Sequence, residues 1–304
     1  MIGTLGSIPE FPQFKEITLE DRPVFVEVFS RFPPVISELT FTNLFMWRYA
    51  YQIKICRLED FLCLFSDKGK DSFFFPVIGE GDMIECYRTL LHYLESKGDS
   101  PKIARVPETA VRQNNWEAAG MAAEFDRNQS DYVYRVRDLA LLEGRKYHRK
   151  RNHIKQFKEK YRYQYISIDS EWIPECLRLE EEWCNLRDCE IIPGLANESQ
   201  AIKEVLSHFD HLSVTGGAIL IDEKVEAFTF GEPLNSETVV IHVEKANSAF
   251  DGIYPMINQA FLENHWSEFH YVNREQDLGE EGLRKAKESY FPHHMVNKYR
   301  ITFR

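Results

Sequence analysis

The sequence lacks any run of 18 apolar residues, the length that a transmembrane helix needs. It also lacks the basic and then apolar N-terminal pattern that is typical of a secretion signal. Its six cysteines show neither CxxC pairs nor Cys/His spacing suited to zinc, so we expect reduced, buried thiols and no metal site. Together these absences favour a cytoplasmic protein.

Several catalytic motifs are missing as well. The sequence contains no GxSxG, no HExxH and no GxxxxGK[ST], and no cysteine has an obvious partner base. These absences argue against a serine hydrolase, a zinc protease and a P-loop nucleotide hydrolase.

What is present is a globular composition with an uneven charge. The chain has 304 residues, 43% of them apolar, which is enough for one large domain or two of ordinary size. Its net charge is −11, yet the segment 143–162 holds nine Lys/Arg against two Asp/Glu, a net of +7. The remainder carries 28 basic and 46 acidic residues, a net of −18. Such concentration indicates local attraction of a polyanion.

Predicted strands and helices occur in an order that repeats. Each half runs β-α-α-β-β-β-α-β-α-β, an order that resembles the acetyltransferase (GNAT) fold. We therefore predict an α/β (α+β) protein of two tandem GNAT-like units, with an N-terminal unit at 14–140, a basic connecting helix at 141–162 and a C-terminal unit at 163–304.

The stretch 239–292 holds the candidate site. A β-rich run is followed by an amphipathic helix, an apolar strand and a second helix, which predicts a parallel strand pair with helix cover. The polar residues Asn273, Arg274, Glu275 and Asp277 follow the second strand. Open sheets bind ligands beyond the carboxyl ends of parallel strands, so these side chains are candidates for chemistry.

Four segments of the sequence carry a family resemblance: GRKYHRKRNHIKQF, VIHVEKAN, YVNREQDLG and EGLRKAKESYFP. They resemble the DUF2156 family and the C-terminal catalytic domain of phosphatidylglycerol lysyltransferase (lysylphosphatidylglycerol synthase), whose relatives are similar to the Fem aminoacyltransferases. The resemblance implies transfer of an aminoacyl group from aminoacyl-tRNA to a lipid or cell-wall acceptor. It also implies no further cofactor and a location in the cytoplasm or at the inner membrane face.

The chain departs from that family at two positions. His242 and Lys245 stand where the lysyl-lipid synthases carry an aspartate and an arginine. The resemblance therefore predicts the fold and the reaction class more firmly than the substrates. The sequence identifies neither the amino acid nor the acceptor.

Strand alternation sends His242 and Glu244 to one face. Glu244 is a candidate to hold a substrate ammonium or to act as base, and His242 could share that task. A buried structural pair is the alternative. Lys245 would favour an anion such as a phosphate or carboxylate.

The helix start after this strand is a second candidate. Asp251 and Gly252 lie where an acetyltransferase would hold the CoA pyrophosphate, although the full glycine-rich pattern is absent and Asp251 adds a negative charge. An N-cap role for Asp251 is the plainer interpretation.

The polar cluster after the second strand divides by role. Arg274 suits bidentate recognition of a carboxylate or phosphate, and Glu275 and Asn273 are candidates beside it. Capping explains Asp277. Lys287, in the last helix, would reach the aminoacyl ester or simply face solvent.

The basic helix has two faces. An apolar stripe predicted to pack on a domain consists of Tyr147, Ile154, Phe157 and Tyr161. The candidates for contact with tRNA phosphates or an anionic membrane surface are Arg149, Lys150, Arg151 and Lys155. A solvated linker helix is the alternative.

Two rival functions remain. One is an acyl-CoA-dependent N-acyltransferase on the same fold, with CoA as its cofactor. The other is a non-catalytic module that binds RNA or anionic lipid.

Overall fold

A computed structural model describes residues 5–189 and 191–304 of the chain. They group into two compact units. The first comprises the chain up to Asp131 together with Gln276–Glu281 and Met295–Arg304, and the second comprises Tyr132–Glu275 and Gly282–His294.

The helices are α1 (Arg22–Arg31), α2 (Phe41–Met46), α3 (Arg48–Tyr51), α4 (Met83–Ser96), α5 (Glu108–Gln113), α6 (Val136–Leu141), α7 (His148–Lys160), α8 (Ile173–Leu186), α9 (Pro193–Ser207), α10 (Ile253–His265) and α11 (Glu281–Glu288). The strands are β1 (Lys15–Glu16), β2 (Ile53–Leu58), β3 (Phe61–Ser66), β4 (Phe73–Phe74), β5 (Ile78–Gly79), β6 (Ile103–Pro107), β7 (Met121–Phe125), β8 (Asp131–Arg135), β9 (Tyr163–Ser167), β10 (Thr215–Ile221), β11 (Lys224–Pro233), β12 (Thr238–Ala246), β13 (Tyr271–Asn273), β14 (His294–Val296) and β15 (Lys298–Phe303).

The first unit is built on a sheet of order β1-β2-β3-β4-β6-β15-β7, with β5 paired to β3. Helix α4 covers its core because apolar residues recur three and four positions apart, which buries Tyr87, Leu91 and Leu94 completely. Asp82 begins this helix by accepting a hydrogen bond from the backbone N–H of Glu85 at 3.0 Å.

A buried charge network holds the C-terminal strand in the first unit. The Nζ atom of Lys298, which is fully buried on β15, lies 2.6 Å from carboxylate oxygens of both Glu38 and Asp131. Asp131 also accepts hydrogen bonds from the backbone N–H and the hydroxyl of Ser37, at 2.9 and 3.0 Å. Buried charges persist when they are paired, and here Lys298 and Arg105 are the cations that pair with the two carboxylates.

The second unit is built on a sheet of order β14-β8-β13-β12-β11-β10-β9. Strand β12 pairs antiparallel with β11 and parallel with β13, and α10 connects the parallel pair. One face of α10 buries Ile253, Ile257 and Phe261, which lie at helical spacing. The predicted strand–helix–strand with a parallel pair is therefore confirmed.

We predicted that one unit ends at residue 140 and the next begins at residue 163. Two strands lie in the sheet of the other half of the chain. Strand β15 is sequentially in the C-terminal half but lies between β6 and β7 in the first sheet. Strand β8 is sequentially in the N-terminal half but pairs with β13 in the second sheet. Sheet membership is decided by which strand edge offers unpaired backbone groups, and linear order does not reveal that. The predicted α/β class is confirmed.

The expectation of six reduced thiols is wrong for two of them. A disulfide joins Cys184, in the last turn of α8, to Cys189, and their Cα atoms lie 5.0 Å apart, a distance in the normal range for a disulfide. The free and buried cysteines are Cys56, Cys63, Cys86 and Cys176.

Across the two described ranges, no helix combines the length and apolar character that crossing a lipid bilayer would require.

The buried network predicts a large difference between two cations on β15. Lys298→Met keeps the aliphatic stem but removes the cation that lies 2.6 Å from both carboxylates, while Arg105 stays 3.5 Å from Glu38. The free energy of unfolding should therefore fall by about 3–5 kcal/mol. Arg300, whose side chain is 46% exposed beside Glu124, is the matched control. Arg300→Met should cost less than about 1 kcal/mol. Urea unfolding of both variants checks this, and equal small losses would contradict the structural role of Lys298.

Candidate active site

The site forms where β12 and β13 stop pairing. Their ladder covers Thr238–Val240 on β12 and Tyr271–Asn273 on β13, whereas β12 continues to Ala246. Beyond the ladder, side chains rather than backbone hydrogen bonds connect the two chain segments. This divergence opens a gap at the carboxyl end of a parallel pair, where α/β sheets generally bind ligands.

An ion pair between Glu244 and Arg274 bridges the gap. Glu244 accepts hydrogen bonds from Nη2 of Arg274 and, at 2.9 Å, from the side-chain amide of Asn258 on α10. The guanidinium carbon of Arg274 lies 4.9 Å from the ring centre of Tyr290 and 5.8 Å from that of Tyr134. Burial lowers the pKa of Arg274, but Glu244 outweighs that effect and the pKa is raised. Arg274 is therefore permanently cationic.

One nitrogen of this guanidinium makes no hydrogen bond. Nη1 of Arg274 is buried and has no hydrogen-bond partner in the described part of the chain. A buried donor without a partner costs about 1–3 kcal/mol, so such groups are found where a ligand or water completes them. The unused donor makes Arg274 a candidate to bind a negatively charged or carbonyl oxygen of a ligand.

The loop after β13 is shaped to present Arg274. Lys287 on α11 donates a hydrogen bond from Nζ to the backbone carbonyl of Arg274 at 2.6 Å. Tyr134 in turn donates to the carbonyl of Lys287 at 2.8 Å. Glu275 has a left-handed φ of +57°, and the side chain of Asn273 accepts from its N–H at 2.8 Å, which supports this strained backbone. Lys287 and Asn273 thus fix the backbone on either side of the Arg274–Glu275 peptide.

His242 is clamped between two carboxylates. Its Nδ1 lies 2.9 Å from Glu275 and its Nε2 lies 3.0 Å from Glu232, and the imidazole is 1% exposed. Burial by itself lowers the pKa of His242, but the hydrogen bonds to both glutamates outweigh it and raise the pKa to about 9. The imidazole is therefore protonated at neutral pH, which disfavours the proposed role as a base. Its charge instead holds Glu275 in place.

The basic helix α7 contributes Lys150 to the same site. Its Nζ lies 3.7 Å from the ring centre of Tyr290, the ring that also contacts Arg274. Burial, with help from Arg274 and Arg149, lowers the pKa of Lys150 to about 8, while Glu244 opposes the shift. Lys150, predicted as a contact for RNA phosphates, therefore faces inward.

The other predicted cations of α7 divide by exposure. Arg149 is exposed, and Lys155 is 73% exposed beside Glu159. Arg151 instead donates hydrogen bonds to the backbone carbonyls of Leu142 and Gly144. The predicted apolar stripe packs inward through Tyr147, Ile154 and Phe157, all of which are buried. A shallow cavity of about 340 Å³ lies on the exposed side, partly lined by Arg151, Lys155 and Lys158.

Lys245 does not join the Glu244 cluster, because alternation along β12 sends it to the opposite face. Its Nζ lies 2.9 Å from Glu198 and 3.4 Å from the ring centre of Trp183. Asp277 belongs to the first unit, where it accepts from Arg127 at 3.2 Å and from the N–H of Gly279 at 2.9 Å. The latter contact agrees with the predicted capping role.

Gly252, rather than Asp251, is the N-cap of α10. Gly252 has a φ of +84°, and a Cβ there would lie 2.5 Å from the backbone carbonyl oxygen of His153 on α7. Glycine is needed for that close approach. Asp251 is 81% exposed and lies 3.4 Å from Lys160. Neither residue contacts Glu244 or Arg274.

Sequence reasoning did not identify Glu232, Asn258, Tyr134 or Tyr290 as site residues. Tyr290 stood in a segment that carried the resemblance, but the other three lie in ordinary strand and helix patterns without a local signal. Within the described ranges, no group of three His, Cys, Asp or Glu side chains could hold a metal ion.

A family model described as phosphatidylglycerol lysyltransferase, C-terminal, matches residues 29–302. Among solved structures, a conserved protein of unknown function from Bacteroides thetaiotaomicron VPI-5482 is 36% identical, with a TM-score of 0.88 over 98% of this chain and 100% of that one. An uncharacterised protein of Mycoplasmoides gallisepticum is 22% identical over 178 residues, which span 56% of its length.

Two more distant structures share the fold. L-PGS from Bacillus licheniformis is 13% identical with a TM-score of 0.65, covering 97% of this chain and 93% of that chain. FemX is 10% identical with a TM-score of 0.59, covering 95% and 96%. The predicted family resemblance and the tandem GNAT-like, Fem-like architecture are confirmed. The family match supports an acyl- or aminoacyltransferase.

The clamp around His242 predicts a specific loss of stability at alkaline pH. Because the folded pKa of about 9 exceeds the ordinary value of 6.5, this stabilisation is complete below pH 6.5 and is lost as the pH rises through 9. The wild-type free energy of unfolding should fall by about 3 kcal/mol more over that range than that of His242→Gln.

Urea unfolding at pH 6.5, 8 and 9.5 measures this difference, and NMR titration of the imidazole measures the pKa directly. His92→Gln, which removes an imidazole that is 61% exposed, is the control and should behave like wild type. An imidazole that titrates near 6.5 would contradict the charged clamp.

Proposed function

This chain belongs to the phosphatidylglycerol lysyltransferase C-terminal family, and on that premise we propose that it moves an aminoacyl group from aminoacyl-tRNA to a lipid or other acceptor by direct transfer. The acceptor we favour is a hydroxyl of a phosphatidylglycerol-like lipid. The donor is a cytoplasmic molecule, so we propose that the protein works in the cytoplasm and meets a lipid acceptor at the inner membrane face.

The observation that carries this proposal is the buried guanidinium of Arg274 with its unpartnered Nη1. An aminoacyl ester is already activated, so transfer needs alignment of the acceptor and stabilisation of the oxyanion that develops on the ester carbonyl. A pre-positioned donor in a largely buried site supplies that stabilisation without reorganisation. Asn258 holds Glu244, and Glu244 holds the guanidinium through Nη2, so that Nη1 is left for the carbonyl oxygen.

The remaining site residues position this centre. Lys287 holds the backbone of Arg274 through its carbonyl. His242 fixes Glu275, whose carboxylate we assign to the α-ammonium of the aminoacyl group, because a cation is the substrate group that a carboxylate in this place would select. Asn273 supports the Glu275 backbone.

The exposed cations of α7 suit the tRNA backbone. Arg149, Lys155 and Lys158 are exposed on one helix of a protein that is otherwise acidic. Phosphate contacts of this kind supply affinity without sequence reading. An anionic membrane surface presents the same charge, and the binding test below compares the two.

The geometry disfavours the rival acyl-CoA reaction. The pyrophosphate of CoA would require free backbone N–H groups at the start of α10. There the His153 carbonyl oxygen lies against Gly252, and Asp251 adds a carboxylate. Both groups are negative or electron-rich and would repel a pyrophosphate.

Transfer can be tested with radiolabelled aminoacyl-tRNAs and total bacterial lipid, following label from tRNA into the lipid fraction. Arg274→Gln should lower the transfer rate by about 100- to 1,000-fold, because it removes the oxyanion donor. Glu244→Gln should also lower the transfer rate, because the guanidinium of Arg274 can then reorient. Arg137→Gln, at a 79% exposed position of the same unit, should match wild type.

Near-UV circular dichroism confirms that each variant folds. If label stays on tRNA with the wild-type protein and acetyl-CoA is not consumed, the chain is a binding module. Full activity of Arg274→Gln would refute the assignment of the catalytic centre.

The α7 surface predicts a change in the salt dependence of tRNA binding. In the triple variant Arg149→Glu, Lys155→Glu and Lys158→Glu, the slope of log affinity against log salt should shrink by about 0.7–0.9 for each lost phosphate contact. The control reverses three exposed lysines elsewhere, Lys68, Lys70 and Lys224. Binding is measured by fluorescence anisotropy with tRNA and by sedimentation with phosphatidylglycerol vesicles. An unchanged slope for tRNA with reduced vesicle binding would assign α7 to the membrane.

A further inference from the structure

Lys150 differs from every other cation at the site in its lack of a partner. Its ammonium packs over the ring of Tyr290 at 3.7 Å. Over residues 5–189 and 191–304, the side chain has neither a hydrogen bond nor an ion pair, and it is only partly exposed. A lysine that serves the fold alone would be expected to reach a carboxylate or bulk water. The amine instead lies over the same ring that the guanidinium of Arg274 contacts.

Direct transfer needs a group that takes the proton of the acceptor hydroxyl, and the other residues of the site are unsuited to this. Arg274 stays protonated, and His242 is already protonated with both nitrogens engaged. Both carboxylate oxygens of Glu244 accept hydrogen bonds from Arg274 and Asn258. Lys287 donates to a backbone carbonyl.

The two tyrosines are equally unsuited. Burial raises the pKa of Tyr134, and it raises the pKa of Tyr290 to about 12, so both phenols keep their protons at neutral pH. They can donate hydrogen bonds but cannot act as bases. Glu275 and Glu232 are each bound to the charged His242, so the Lys150 amine is the group to which we assign the proton.

We infer that Lys150 is the proton shuttle of the transfer reaction, a role that rests on the proposed aminoacyltransferase function. The neutral amine takes the proton from the acceptor hydroxyl as its oxygen forms a bond to the ester carbonyl carbon. The tetrahedral intermediate then collapses, the bond from that carbon to the ribose oxygen of tRNA breaks, and the departing oxygen takes the proton back from the Lys150 ammonium. Protons and electron pairs balance without a further co-reactant.

The surroundings of Lys150 fit this role. Arg274 from the loop after β13 and Arg149 from α7 disfavour the ammonium, Glu244 from β12 favours it, and Tyr290 is a neutral ring beneath it. Burial adds to the two arginines and brings the pKa of Lys150 to about 8. A shuttle works best when its pKa lies near the operating pH, since both protonation states are then available.

The test compares Lys150→Arg, Lys150→Ala and Lys203→Met in the lipid transfer assay from pH 6 to 9.5. Lys150→Arg keeps the positive charge but cannot release a proton, so kcat should fall by about 100- to 10,000-fold with little change in the KM for aminoacyl-tRNA. The wild-type rate should rise with pH up to about 8, and this rise should disappear in the variant. Lys203→Met, an exposed lysine on α9, should match wild type.

Chemical rescue separates proton transfer from a structural effect. A tertiary amine such as trimethylamine can take a proton but forms no amide with the ester. It should restore part of the activity of Lys150→Ala and none of that of Arg274→Gln. Separately, the full-length protein with ¹³C-methylated lysines should show one resonance that titrates near pH 8 and is missing in Lys150→Arg.

Each outcome is decisive. Wild-type transfer with undiminished Lys150 variants overturns the shuttle and leaves the proposed function standing. An absence of wild-type transfer overturns the proposed function and the shuttle with it. A Lys150 resonance that titrates at its ordinary value near 10.4 overturns the shuttle whether or not transfer occurs.

Discussion

The ion pair between Glu244 and Arg274 spans a gap that backbone hydrogen bonds leave open. Strands β12 and β13 are paired only at Thr238–Val240, and beyond that point the sheet is held by side chains. Because Glu244 occupies one edge of the guanidinium, the opposite nitrogen keeps an unused donor in a buried place. If β12 and β13 were paired along their whole length, no side-chain donor would lie between them. Without the ion pair to Glu244, the guanidinium of Arg274 would not be held in one position. The chemistry proposed here depends on both features together.

Charged side chains in this protein are buried in clusters of both signs, and the clusters have different roles. In the first unit, Lys298 and Arg105 are the cations beside Glu38 and Asp131, and the network fixes a strand. In the second unit, the protonated His242 lies between two glutamates, so that clamp keeps a residual negative charge. The cluster of Glu244 with two cations nearby keeps a positive one. Under the proposed function, the opposite charges of these two clusters would orient a substrate that carries an ammonium beside an ester.

Helix α7 serves two regions with one basic sequence. Cations spaced around a helix cannot all face the same way, so those beside the apolar stripe turn toward the protein and the others face water. Lys150 reaches the ring of Tyr290, whereas Arg149 and Lys155 stay exposed. Under the proposed function, the segment that would attract the donor also supplies a side chain to the reacting groups. The adjacent positions 149 and 150 therefore have separate predicted effects, on binding and on turnover.

The sequence by itself determined the α/β class, the parallel strand pair around α10, the apolar stripe of α7 and the family, because periodicity and short motifs are local properties. It also singled out Glu244, Arg274 and His242. Only the tertiary structure decided which sheet each terminal strand joins, that Lys150 faces inward, and that Glu232, Asn258 and Tyr290 complete the site. Those facts depend on contacts between residues far apart in the chain, and no local pattern encodes them. Protonation states likewise follow from burial and neighbours, which exist only once the chain has folded.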